Sequence, residues 1–270
     1  EVDTPVRLPC LLPEAHIVPE QSAGWFLQTS PEMCMKRLLA AGHRKIFQIC
    51  RCFRGGERGA RHLPEFTMLE WYQAGIGYVE LMAECAAMLR FVAAKTASAH
   101  PAARPLLAAS DWERLTVRQA FALHAPVSVD QALATGAFDE VLVRFVEPHL
   151  GRKRPTFLYD YPAALGALAR LKDEDESLAE RFELYVNGLE LANGFSELTD
   201  AVEQRRRFET ERALIAAQGR QPGPWPERFL VELPELGEAA GIALGVDRLV
   251  MLLCGAATID EVVAFPPEIL

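Results

Sequence analysis

Phe47–Tyr72 reads FQICRCFRGGERGARHLPEFTMLEWY. Two alternating runs rich in aromatic and aliphatic residues flank a glycine-rich interruption, the pattern of two strands joined by a loop. The first strand is expected over Lys45–Phe53 and the second over Glu65–Gln73, with Gly55-Gly56-Glu57-Arg58-Gly59 as the flexible break in a long antiparallel hairpin. Alternation puts Phe66, Met68, Glu70 and Tyr72 on one face, and Thr67, Leu69 and Trp71 on the other. That face has two readings. It is either the wet side of an amphipathic strand or a pocket floor, where a ring stacks on a flat group and Glu70 and Tyr72 hold a cation. On the preceding strand Phe47, Ile49, Arg51 and Phe53 share a face. Arg54 stands at the mouth of the loop, where a guanidinium can grip a phosphate.

Upstream, Pro31–Ala41 reads as a helix. Ser30 is its cap, Pro31 suits the first turn, and Met35, Leu38 and Leu39 form an apolar stripe. The chain opens at Glu1, without Met and within what reads as a strand, so a trimmed N-terminus is expected. Downstream, Val79–Ala97 is an amphipathic helix, residues 98–110 are loop-like, and residues 116–150 carry short helices. A strand over Thr156–Asp160 ends at Tyr161-Pro162. A charged helix covers Ala201–Ala217, and the proline-rich Gln221–Glu227 is a loop. A short strand over Ile242–Val246 turns at Asp247 into the helix Arg248–Cys254. Antiparallel pairs with helices outside the sheet argue for an α+β fold.

The 270 residues are 50% hydrophobic and 24% charged, which fits a globular chain and excludes collagen-like and disordered readings. A net charge of −9 argues against a dominant sequence-independent nucleic-acid surface. No run approaches the roughly 20 apolar residues of a membrane span, and no signal peptide is evident. Cys10, Cys34, Cys50, Cys52, Cys85 and Cys254 form no CxxC pair, so buried reduced thiols in a cytoplasmic protein are expected rather than structural zinc.

A second stretch, Arg181–Asp200 (RFELYVNGLELANGFSELTD), carries Glu183, Glu190 and Glu197 at intervals of seven. In extended chain an odd interval flips faces, so bringing all three together requires a bend or bulge near Gly188 or Gly194. The cluster is either a solvated acidic edge or a cation site for Mg²⁺ with a triphosphate, or for an ammonium group. Gly241–Leu252 (GIALGVDRLVML) allows close backbone approach and then opens a helix with Asp247-Arg248.

Together and in this order, these segments resemble the catalytic domain of class II aminoacyl-tRNA synthetases, in the lysyl branch. Val2-Asp3-Thr4-Pro5 is similar to the tail of motif 1, Phe47–Tyr72 to motif 2 and Gly241–Leu252 to motif 3. Thr29–Gly42 (TSPEMCMKRLLAAG), Tyr159–Ala163 (YDYPA) and Leu189–Asp200 (LELANGFSELTD) match lysyl-branch segments. The resemblance covers essentially the whole chain. Within the branch it points to the lysyl-tRNA synthetase paralogues that ligate (R)-β-lysine to elongation factor P. No anticodon-binding domain accompanies residues 1–270, and Ala243 stands where lysyl-tRNA synthetases usually have glycine.

The resemblance implies a single catalytic domain with an antiparallel sheet flanked by helices. It implies a cytoplasmic homodimer that uses ATP and Mg²⁺, takes lysine or (R)-β-lysine, and has elongation factor P rather than tRNA as acceptor. By the same resemblance Arg54 grips the α-phosphate and Arg248 the γ-phosphate, while Phe66 stacks on adenine. Leu191 and Gly245 also bind nucleotide. Glu183 and Glu190 hold Mg²⁺. Ser30 and Glu32 bind one amino group, Glu70, Tyr72 and Glu197 hold the other ammonium, Asn193 orients the carboxylate, and Ala243 shapes the pocket. The chain departs from the pattern at Gly55 and Gly56, where the family has Asn-Glu, and at Leu63, where it has Asn; Glu57 is the candidate replacement for the lost glutamate. A trimmed lysyl-tRNA synthetase and a non-catalytic regulatory module are the alternative readings.

Overall fold

The structure is a computed structural model that describes residues 1–100, 102, 106–107 and 111–270. Most of the loop expected over 98–110 lies outside the described residues. Seven strands form the main sheet: β4 (Lys45–Phe53), β5 (Glu65–Ala74), β6 (Glu113–Thr116), β7 (Thr156–Pro162), β8 (Leu178–Val186), β9 (Leu189–Ser196) and β10 (Ala239–Gly245). Their spatial order is β4-β5-β10-β9-β8-β7-β6. Three short strands, β1 (Arg7–Leu8), β2 (Gln21–Ser22) and β3 (Trp25–Leu27), make a separate sheet in the order β1-β3-β2. The helices are α1 (Glu32–Ala40), α2 (Tyr78–Thr96), α3 (Val117–His124), α4 (Val129–Ala134), α5 (Phe138–Val141), α6 (Ala201–Ala217), α7 (Glu227–Glu232) and α8 (Val246–Cys254).

The hairpin read from the sequence is present, with Lys45 opposite Gln73 and Phe53 opposite Glu65. Gln48 pairs with Glu70 and Cys52 with Phe66, so these residues share the face that carries Phe66, Met68, Glu70 and Tyr72. Phe47 and Ile49 belong to the opposite face and stay exposed on the outermost strand.

Four expectations need correction. Glu1–Val6 is not a strand: Pro5 offers no ladder N–H, and the backbone contacts there are isolated bonds, from Val2 N–H to Phe47 O and from Gln28 N–H to Val6 O. The sheet is not wholly antiparallel, because β6 pairs parallel with β7; the helical crossover α3–α5 between them is long enough to allow it. Ser30 accepts the Glu32 N–H at 3.0 Å but occupies no cap position, since the helix begins directly after Pro31. The buried face of α1 carries Met33, Met35, Lys36 and Leu39, with Leu38 only half-buried.

The sheet is covered unevenly, and this positions the site. Against one face, α2 and α8 pack Leu81, Cys85, Leu89, Leu249 and Leu253 onto Phe182, Leu184, Ile242 and Leu244. On the other face, α1, α6 and α7 gather Met35, Leu39, Phe208 and Phe229 around Tyr72 at one end. At the other end, α3, α4 and α5 pack Phe121, Phe138 and Val141 against Leu158, Tyr161 and Tyr185. Between these two clusters the face of β5, β10 and β9 lies open as a cleft of about 450 Å³.

All six cysteines are unpaired; Cys52 and Cys85 are buried, and Cys254 is exposed. Among the described residues no helix is long and apolar enough to cross a membrane.

Candidate active site

The three glutamates of Arg181–Asp200 share one face because of two backbone features. Asn187 and Gly188 both have positive φ, at 55° and 72°, and make the tight turn between β8 and β9. The register then slips, with Tyr185 opposite Glu190 but Leu184 opposite Ala192. Leu191 is the extra residue, so the bulge falls there and not at Gly194. Past the bulge, Asn193 lies opposite Glu183, and Asn193, Phe195 and Glu197 follow on one side. Gly194 has a packing reason instead: a Cβ there would lie 2.7 Å from Phe182 Cζ.

Strand β10 joins the two halves of the site. Ala243 is opposite Glu70 of β5 and Asn193 of β9. Gly241 is opposite Tyr72 and Phe195, and a Cβ there would sit 2.2 Å from Tyr72 Cδ1 and 2.6 Å from Glu197 Oε1. Gly241 is therefore the residue that lets Tyr72 and Glu197 close over the strand.

At this end of the face the polar groups are deeply buried. Ser30 Oγ donates to Glu70 Oε1 at 2.5 Å, and Tyr72 OH donates to Glu70 Oε2 at 2.7 Å. Burial pushes the Glu70 carboxyl up to about 8, with nearby Glu32 adding to the shift and the Ser30 and Tyr72 hydroxyls opposing it. Lys36 Nζ lies 2.5 Å from Glu32 Oε1 and 2.5 Å from Glu197 Oε2. Burial works against the Lys36 charge, but Glu197 and Glu32 outweigh it and hold the ammonium up to about 12. Burial also raises Glu197 to about 8, against the pull of Lys36. Glu14 is pushed up to about 7 by burial and then by Glu32, with Arg54 opposing.

The other end is cationic. The Arg54 guanidinium lies 5.1 Å from the Phe66 ring centroid, and its Nε donates to Thr29 O at 3.4 Å. Arg248 Nη1 donates to Glu190 O at 3.0 Å and Glu190 Oε2 at 3.2 Å, and its Nη2 lies 2.7 Å from His62 Nε2. Burial and the Arg248 charge push the His62 imidazole down. Asp247 Oδ2 accepts the Thr67 N–H at 2.6 Å, tying the start of α8 to β5. Gly245 caps that helix at its N-terminus, and the nearest atoms to a Cβ there belong to the flexible Arg248 side chain at 3.6 Å.

Arg54, Phe66, Glu190, Leu191, Asn193, Ala243, Gly245 and Arg248 all line the one cleft. Ser30, Glu32, Glu70, Tyr72 and Glu197 do not line it; they form a hydrogen-bonded and, through Lys36, ion-paired cluster beside it, where Ala243 of the cleft lies opposite Glu70. Glu183 stands behind Asn193. Its Oε1 accepts from Arg181 Nη2 at 2.6 Å and its Oε2 from Tyr185 OH at 2.7 Å. Arg181 Nε also donates to Asn193 Oδ1 at 3.2 Å. Among the described residues no three carboxylate, thiol or imidazole groups converge on a common point. Glu190 is nevertheless pushed up by burial and then by Glu183, so these two carboxylates repel one another in a way a cation would relieve. That fits Mg²⁺, which takes one or two carboxylates and fills its shell with phosphate oxygens and water.

Glu57 Oε1 lies 3.9 Å from Arg54 Nη1 and lines the cleft, while Leu63 is buried in the apolar cluster beneath it. Four residues at the site escaped the sequence reading. Lys36 and Arg181 are charged residues beside or between expected carboxylates, a signal visible in MKRLL and in RFE. Glu14 and His62 carried no comparable signal.

The family model described as "tRNA synthetases class II (D, K and N)" matches residues 1–268. The chain belongs to this class II synthetase family. Its curated relatives include proteins named elongation factor P–(R)-β-lysine ligase. That of Edwardsiella ictaluri is 41% identical, over 98% of this chain and 87% of the relative. That of Pectobacterium carotovorum is 40% identical over 99% and 88%, and that of Proteus mirabilis 41% over 98% and 88%. The α+β expectation therefore stands, with the sheet and helices of a class II synthetase domain.

Proposed function

We propose that this protein activates (R)-β-lysine or lysine with ATP and transfers the aminoacyl group to a lysine side chain of elongation factor P. The observation that carries the reading is Ala243, placed between a buried carboxylate cluster on one side and a cationic cleft on the other. A diamino acid fits the first and a nucleotide triphosphate the second. The names and identities of the curated relatives support the same reaction and acceptor.

In this reading Glu32 binds one ammonium, with Ser30 beside it, and Glu70, Tyr72 and Glu197 hold the other. Asn193, steadied by Arg181, orients the substrate carboxylate. Phe66 stacks on adenine once Arg54 leaves its ring for the α-phosphate. Arg248 turns from Glu190 and His62 to the γ-phosphate, while Gly245 and the backbone at Glu190-Leu191 admit the nucleotide. Glu183 and Glu190 would hold Mg²⁺, which supplies charge neutralisation at the phosphates.

The substrate carboxylate oxygen attacks the α-phosphorus, the bond to the bridging oxygen breaks and pyrophosphate leaves. Arg54 stabilises the charge gathering on the α-phosphate oxygens. The neutral acceptor amine then attacks the activated carbonyl, forming the amide and releasing AMP and a proton. A substrate lacking the second ammonium leaves Glu70 without a cation and is penalised accordingly. The reading also places the enzyme in the cytoplasm as a homodimer; exposed Phe47 and Ile49 on β4 offer apolar surface for that contact.

ATP–pyrophosphate exchange tests the first half-reaction. Exchange that depends on lysine or β-lysine, and not on leucine, is expected. Absence of exchange with every amino acid would overturn the proposal in favour of a regulatory module. Exchange followed by transfer to tRNA alone would favour a synthetase core.

A further inference from the structure

Lys36 lies on the buried face of α1 with 1% of its surface exposed, and its ammonium bridges Glu32 and Glu197. It also sits 5.0 Å from the Phe195 ring centroid. A lysine in such surroundings is costly unless fully paired. Among the described residues, Glu70 is served by two hydroxyls and no cation, and Glu197 Oε1 accepts no hydrogen bond. With Glu32, Glu70 and Glu197 all ionised, the state that arriving ammonium groups favour, Lys36 cancels one of three charges. Two remain, the number of ammonium groups on lysine or β-lysine. Glu14, the fourth carboxylate nearby, has Arg54 to oppose it.

We propose that Lys36 is a positioning and specificity-determining residue of the amino-acid pocket: its ammonium fixes the orientation of Glu32 and Glu197 and sets the pocket's charge to match a substrate with two ammonium groups. This rests on the reading of Glu32, Glu70 and Glu197 as ammonium-binding groups. The helix supplies the geometry, since Glu32 and Lys36 are one turn apart on the same face. Strand β9 brings Glu197 to the other side of the ammonium. When the substrate is absent, Lys36 keeps the two carboxylates from collapsing onto each other's protons or turning into the sheet.

The test uses Lys36→Ala and Lys36→Met, assayed by ATP–pyrophosphate exchange. Alanine leaves a hole the size of n-propylamine, whereas methionine fills it without charge. Both variants are expected to raise the KM for the amino acid on the order of a hundredfold and to leave the KM for ATP within about threefold. Millimolar n-propylammonium is expected to restore activity to Lys36→Ala and not to Lys36→Met, a readout that loss of packing alone would not produce.

Wild-type protein inactive with both lysines would overturn the reading of the site and this assignment with it. Active wild type, combined with variants whose two KM values rise together or with an alanine variant indifferent to the amine, would overturn the Lys36 assignment alone. If alanine does not fold, methionine decides through the KM split. If neither folds, the ¹⁵Nζ resonance of wild-type Lys36 decides: it shifts when the amino acid saturates the protein, and no shift refutes the proposal.

Discussion

Replacing Gly241 by alanine should damage stability and amino-acid binding together. An added Cβ would lie 2.2 Å from both Cδ1 and Cε1 of Tyr72 and 2.6 Å from Glu197 Oε1. Carbon atoms rest at roughly 3.5 to 4.0 Å, so the ring edge must retreat by about 1.3 Å even to reach the near limit. Tyr72 has nowhere to go: it is 3% exposed and enclosed by apolar side chains of α1, β4 and α7. Strand β10 is equally constrained, held by ladders to β5 and β9.

The retreat therefore forces an off-rotamer ring, at about 0.5–1.5 kcal/mol, and breaks the 2.7 Å bond from Tyr72 OH to Glu70, at about 1–3 kcal/mol for a buried group left short of a partner. A net loss of about 3 kcal/mol corresponds to a fall in Tm of about 5–6 °C for a chain of this size. Differential scanning calorimetry measures the first effect, and the amino-acid KM in pyrophosphate exchange measures the second. Gly59→Ala is the control, because nothing lies within 4 Å of its added Cβ. A Gly241→Ala protein melting within about 2 °C of wild type, with an unchanged amino-acid KM, would refute the argument that glycine is needed for Tyr72 and Glu197 to close.

Amino-acid binding should release protons. Burial holds Glu70 and Glu197 protonated at pH 7, each pushed up to about 8, and two arriving ammonium groups favour their ionised forms. Calorimetric titrations in buffers of different ionisation enthalpy should show release at pH 7 that fades above pH 8, and the KM should fall between pH 6 and 8. Because both carboxyls are raised above the ordinary 4.5, the stability they lend the free protein is full below pH 4.5 and is lost as pH rises through about 8. Saturation with lysine should flatten that decline in Tm. Arg181→Met should cost about 3 kcal/mol, since it strips a buried ion pair from Glu183. It should also lower kcat more than it raises the KM for ATP, because Asn193 loses its donor; an unchanged kcat would remove Arg181 from the account.

The sequence carried the hairpin because its signal is local. Alternation in Phe66–Tyr72 fixes which side chains share a face whatever the strand pairs with. It did not say which face of Lys45–Phe53 meets the site, since that depends on register: Gln48, not Phe47, pairs with Glu70. The need for a bend within Arg181–Asp200 followed from parity alone. Gly188 marked one of the two places, the turn after β8; the other was not legible, because a bulge at Leu191 needs no glycine, while Gly194 serves the packing of Phe182. Lys36 drew no attention because a lysine in a helix ordinarily faces solvent. Only the long-range placement of Glu197 makes its burial tolerable. The parallel β6–β7 pair escaped because Glu113–Thr116 is four residues with no apolar alternation. Glu14 lies in irregular chain, where no periodicity points to a side chain's surroundings.

The central claim is ligation of a lysine-type amino acid to elongation factor P. The most direct measurement is the intact mass of purified elongation factor P from the same source after incubation with this protein, Mg²⁺, ATP and either (R)-β-lysine or lysine. A gain of one lysyl unit, dependent on ATP and on this protein, is predicted, and comparison of the two amino acids identifies the substrate. An unchanged mass with both, beside a working ligase control, would contradict the account.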